Sequence, residues 1–287
     1  MTRVLKLGVL NIVASPHPEG IYRELLAVAA SGEAQARGSD YARITRPRDE
    51  GDGILSGRIL IYANIDKDSP WLDIETGEEL TEEDLDEISI PDKARPNFKS
   101  FIYVFDEKNH LLYFETVNEF GKGLGISTAY RAIARLLGED RTSQLETAVE
   151  VTVVPEEDAV DRILNMPGLK RLFIRINAPN PEDFEDKKLE VLRDLEANHA
   201  KRVDLNYVKA AGAESLTPTE EVRQLAQIGA ENGYVKGESN GDGQPDELST
   251  KALPKTIALP MEKDAGVLAR MLGYVRNQGR RRQAQRP

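Results

Sequence analysis

The chain contains no cysteine and only three histidines. The first absence excludes disulfides, thiolate zinc sites and cysteine nucleophiles, and it fits a reducing compartment. The second leaves little for an imidazole metal site: His17, His110 and His199 stand far apart and show no metal-ligand spacing. Long apolar runs are missing as well. No stretch approaches the roughly 18 apolar residues of a bilayer-spanning helix. The N-terminal "MTRVLKLGVLNIVAS" is interrupted by Asn11 and lacks a small-residue cleavage site, so it reads as a first strand and not as a secretory signal. A soluble, cytoplasmic protein with no membrane partner is the expectation. No solenoid period, low-complexity tract or G-x-S-x-G elbow occurs.

What the chain has in quantity is acid. Its formal net charge of −11 over 287 residues disfavours nonspecific attraction to nucleic acid or anionic membrane, unless a local patch overcomes it. The acidity is concentrated in residues 73–92, "DIETGEELTEEDLDEISIPD". The C-terminal "RNQGRRRQAQRP" is basic and reads as a solvated end that complements the dipole of the preceding helix.

Apolar alternation predicts strands at 4–13, 54–65, 101–105 and 111–116, the last two joined by the turn "DEKN". Helical spacing puts Ile21, Leu25, Leu26 and Ala29 on one face, and Tyr130, Ile133, Leu136 and Leu137 on another. Ser127 or Thr128 can cap the second helix and Gly138 can end it. After about residue 145, strand and helix alternate. "AVEVTVVP", "EEDAVDRILNMPG" and "LKRLFIRINAP" read as a compact β-α-β unit, and the rhythm repeats to the end. The expected class is α+β or α/β: a mixed sheet with packed helices, with room for two ferredoxin-like layers. The expected division is an N-terminal unit, 1–142, and a C-terminal unit, 143–287, with a single domain as the alternative.

Three stretches invite a chemical reading. Asp73-Ile74-Glu75-Thr76 matches the D-x-E-T string of proofreading-type exonucleases, which bring four carboxylates around two Mg²⁺ or Mn²⁺ ions to activate water and stabilise the leaving oxygen. His199 and Asp204 supply the H-x-x-x-x-D spacing of the third motif in that class. Against this, Pro70 and Trp71 precede the pair and Gly77-Glu78-Glu79 follow, as in a hairpin turn. The His-to-Asp segment also runs from a helix end into a strand, where the two side chains do not share a helical face. The second stretch is "FGKGLGIST", between a strand and a helix, where backbone amides could cradle a phosphate. Gly121, Lys122, Gly123, Gly125, Ser127 and Arg131 are its candidate ligands, although Lys122 precedes the last glycine and Ile126 replaces the third glycine of the dinucleotide fingerprint. A strand-to-helix turn is the plainer reading. The third, "ESNGDGQPDELS", imitates a calcium loop through Asn240, Asp242, Gly243 and Asp246, but position twelve is Ser249, so a hairpin loop is expected.

Read together, "LKLGVLNIVAS", "IDKDSPWLDIETGEE", "FIYVFDEKNHLLYFETVNEFG" and "EVTVVPEEDAVDRILNMPGLKRLFIRINAPNPED" resemble a bacterial family of unknown function met near prophages, mobile elements and defence islands. The resemblance implies a cytosolic bacterial protein acting in phage defence or as a toxin- or antitoxin-like partner. It carries over no catalytic residues, and it makes Trp71 a packing residue of a hairpin framework. The glycine-rich turn and the strand-helix rhythm are also similar to those of the RNA-binding ferredoxin-like repeat proteins of CRISPR systems. The functional expectation is a non-enzymatic, cofactor-free protein that binds RNA or another protein. The alternatives are a metal-dependent nuclease and a nucleotide- or phosphate-binding module. RNA binding predicts a basic stripe from residues such as Arg131, Arg135, Lys170, Arg171 and Arg175, with affinity that falls steeply with salt.

Overall fold

The computed structural model describes residues 3–66, 69–86, 88–91, 93–178, 186–240, 246–261 and 266–285. The fold is α+β, with packed helices and two sheets whose described strands pair antiparallel throughout. Thirteen strands are described: β1 (Arg3–Ser15), β2 (Ala34–Arg37), β3 (Asp40–Ile44), β4 (Arg48–Asp49), β5 (Ile54–Ala63), β6 (Lys99–Asp106), β7 (Leu111–Glu115), β8 (Ala148–Val153), β9 (Leu169–Asn177), β10 (Arg202–Val208), β11 (Gly233–Ser239), β12 (Glu247–Ser249) and β13 (Thr256–Met261). The helices are α1 (Ile21–Ser31), α2 (Glu82–Asp86), α3 (Ile126–Leu136), α4 (Glu139–Thr142), α5 (Ala159–Leu164), α6 (Asp186–Ala197), α7 (Glu220–Asn232) and α8 (Val267–Gln285).

The large sheet runs β13-β1-β7-β6-β5-β3-β2, with β4 beside β5 and β8 beside β1. Its organising element is β1, long enough to pair with β13 along residues 3–8 and with β8 along residues 10–15. Both faces of β1 are covered, which is why its sequence is almost continuously apolar. Leu10, Ile12 and Ala14 join a core with Phe101, Tyr103, Phe105 and Phe114 under α1 and α3, whereas Leu5, Leu7 and Val9 pack on the opposite face with Met271, Leu272 and Val275 of α8. The predicted hairpin is present as β6 and β7, with Tyr103 opposite Phe114.

The segment expected to form a β-α-β unit is instead shared between the sheets. β8 pairs with β1, α5 carries the chain across, and β9 enters the second sheet. Periodicity identifies a strand but not its partner. Here β8 takes the half of the β1 edge that β13 leaves open. The large sheet therefore draws strands from both sides of residue 142.

The second sheet has four strands in the order β10-β9-β11-β12. Strand alternation sends Leu172, Ile174, Ile176 and Val235 inward, where they pack with Val160 and Ile163 of α5 and Ala226 and Ile228 of α7. The α7 end is tied to the large sheet: Asn11 Nδ2 and Thr152 Oγ1 both donate to the Glu231 carbonyl, at 3.1 and 3.3 Å. α7 is capped at its start by Thr219, whose hydroxyl accepts from the Val222 amide.

Candidate nucleic-acid interface

The four residues of the nuclease reading lie in three unlike settings. Asp73 and Glu75 belong to a tight exposed hairpin turn closed by Leu72 opposite Glu79, with Gly77 at φ 75°. The Asp73 carboxylate accepts from the Glu75 amide at 2.8 Å and from the Thr76 amide at 3.4 Å; these bonds, the Glu75 amide foremost, hold its pKa below the usual carboxylate range. His199 is exposed at the end of α6 in the left-handed backbone region. Asp204, on β10, is gripped by Arg175 through Nε and Nη2 at 2.8 and 2.7 Å. Among the described residues, no three of His, Asp and Glu gather as metal ligands, so the four do not form a metal centre.

The glycine-rich turn is built around Asn118. Its side-chain oxygen accepts from the amides of Phe120 and Lys122, and its backbone bonds Lys122 and Gly121. The Leu124 amide returns to the Thr116 carbonyl while its side chain enters the core. These amides face inward to the turn and are not offered to an anion. Ser127 and Thr128 lie inside α3, whose cap is Gly125 with no side-chain bond, so the predicted hydroxyl cap is not used. Gly138 precedes the short α4. Arg131 Nε donates to the Ser127 carbonyl. In the calcium-like segment, residues 241–245, including Asp242 and Gly243, lie outside the described residues.

A cleft of about 1290 Å³ lies between the β6–β7 turn, α5, α6 and α7. Its walls carry both signs of charge, and the Lys188 ammonium in it is buried against Glu231 at 2.6 Å. Such mutual neutralisation selects no ligand class.

The other face of the second sheet is different. α5 and α7 lie on the inner side. The two central strands each present an aromatic ring there: Phe173 from β9 and Tyr234 from β11, stacked with centroids 5.5 Å apart and planes inclined by 30°. Strand register explains the pairing. Tyr234 lies opposite Arg175 and Lys236 opposite Phe173, so the rings meet on the diagonal. The Arg175 guanidinium sits 5.5 and 5.3 Å from the two ring centroids, and the Lys251 ammonium lies 4.0 Å from that of Tyr234. From the large-sheet side, Tyr130 of α3 adds a third ring, 5.7 Å from the same ammonium. Burial, then the charge of Glu150, raises the Tyr130 pKa, so this ring is a neutral phenol near neutral pH.

Carboxylates answer most of the cations on this face. Asp204 holds Arg175, Glu238 lies 3.7 Å from Arg171, and Lys236 bonds Glu247 at 2.7 Å. Of the five residues of the expected basic stripe, Arg171 and Arg175 share this face. Arg135 donates to the Gln35 carbonyl, Lys170 to the Asn240 side chain and Arg131 to its own helix.

With this geometry in view, comparison with known families gives one decisive match: the model of a domain of unknown function, DUF4747, covers residues 3–276. The chain belongs to the DUF4747 family. The match spans both sheets and reaches into α8, so the aromatic face is part of the DUF4747 region and not an appendage to it. No curated protein matches the sequence. Among the described residues of this DUF4747 chain, no helix is long and apolar enough to cross a membrane.

Sequence reasoning missed Phe173, Tyr234 and Lys251. A signal for the first was present: in "RLFIRI", Arg171, Phe173 and Arg175 occupy alternate positions between inward-facing Leu172, Ile174 and Ile176. An aromatic between two arginines on the solvent side of a strand is the pattern to notice.

Proposed function

We propose that this DUF4747 protein is a non-enzymatic binding protein that holds single-stranded RNA on the outer face of its second sheet, with bases stacking on Phe173 and Tyr234. One observation carries the reading: both central strands of the four-stranded sheet display aromatic rings side by side on one face, flanked by Arg175 and Lys251. Unstacked bases of single strands are recognised by aromatic and guanidinium planes of this kind. Each base-aromatic stack contributes about 1–3 kcal/mol without demanding a particular sequence. Because carboxylates already neutralise most of the cations, stacking more than phosphate attraction supplies the affinity. The salt dependence is accordingly shallow, in place of the steep one that a basic stripe would give. The resemblance to proteins of defence and mobile-element neighbourhoods makes a bacterial cytoplasmic module the setting of this proposal.

The test is a fluorescence-anisotropy titration with a labelled oligouridylate of about 12 nucleotides, a length within the usual site sizes. Phe173→Ala and Tyr234→Ala should each weaken binding by roughly 5- to 150-fold, the equivalent of one lost stack. Failure of the unaltered protein to bind RNA, or binding by both variants as tight as that of the unaltered protein, contradicts the reading. Capture of a protein partner by the same face in place of RNA would also replace it.

A further inference from the structure

The following rests on the reading of this face as a single-strand surface. We propose that Lys251 is its phosphate-binding cation, and that the ammonium now over Tyr234 occupies the position an incoming base takes.

Lys251 stands in the short turn after β12, residues 250–252, which is pinned against β11. The buried Thr250 hydroxyl accepts from the Val235 amide at 3.1 Å, and the Lys251 amide donates to the Ser249 hydroxyl at 3.3 Å. The backbone is thus held while the four-carbon stem can swing. Unlike Arg171, Arg175 and Lys236, Lys251 has no carboxylate within ion-pair distance among the described residues; its ammonium is satisfied by the faces of Tyr234 and Tyr130. Glu150, the acidic group on the adjoining β8, is bonded to Lys201 at 2.9 Å. Burial, and then the charge of Arg175, lowers the Lys251 pKa, as expected of a cation held on rings without an anion. A cation-π contact is weaker than a charge-assisted bond to phosphate oxygen. When a base stacks on Tyr234, the ammonium therefore exchanges the ring for the phosphate of the same nucleotide. The other cations of the face would first have to release a carboxylate.

The experiment is the oligouridylate titration repeated over a series of salt concentrations. For unaltered protein, the slope of log affinity against log salt should be shallow. Lys251→Gln should weaken binding and reduce the magnitude of that slope by about 0.7, the contribution of one phosphate on a single strand. Lys251→Arg should retain the slope, and Lys99→Gln, on the large sheet, should leave binding unchanged. An unaltered slope in Lys251→Gln, with Phe173→Ala still impaired, overturns this inference and leaves the stacking reading standing. Absence of RNA binding by the unaltered protein overturns both.

Discussion

The Asp204 carboxyl shows how one side chain can match a catalytic spacing and do other work. Its bidentate bond to Arg175 holds the guanidinium beside the two rings, and that bond, followed by the guanidinium's charge, lowers the Asp204 pKa. A carboxyl with a depressed pKa in the folded state adds stability above the ordinary carboxylate range and loses it as pH falls through the lowered value. Asp204→Asn should therefore cost about 1 kcal/mol near neutral pH, the scale of a partly exposed ion pair. It should also flatten part of the acid limb of stability; urea unfolding across a pH series measures both effects. The sequence showed Asp204 in a strand of alternating polarity, which was correct. It could not show Arg175 opposite, because that contact depends on the register of β10 against β9.

Elements were legible where a short turn left a strand one partner. The β6–β7 hairpin followed from two apolar runs and four turn residues, and α1 and α3 followed from apolar spacing. The destination of β8 was not legible, since it rests on the length of β1, a competition between distant segments. The same tight meeting of strands makes Gly8 sensitive. A Cβ there would lie 2.5 Å from the Phe114 ring, which is fully buried. Gly8→Ala should destabilise the protein by about 1–3 kcal/mol, the cost of overpacking a dense core, read as a lowered urea midpoint. Its effect on RNA affinity under folding conditions should be small, because Gly8 lies in the large sheet.

For the whole molecule, the arrangement around β1 makes the two halves of the chain interdependent. Removing residues 143–287 would strip β8 and β13 from β1 and α8 from the core formed by Leu5, Leu7 and Val9. The fragment 1–142 should then lack a cooperative thermal transition by circular dichroism, whereas the full chain should melt cooperatively. A cooperative melt of the fragment would show that the first unit folds alone. The candidate face was the least legible part of the protein. Phe173, Tyr234, Tyr130 and Lys251 come from four separate segments, whereas the D-x-E-T string, which matches a catalytic motif, is an exposed turn. The most direct measurement of its role is amide chemical-shift mapping during titration with oligouridylate. The account predicts shifts concentrated on β9, β11 and residues 250–252, with saturation at one strand per protein. Shifts confined to the cleft between α5 and α6, or to the glycine-rich turn after β7, or no shifts at all, would contradict it.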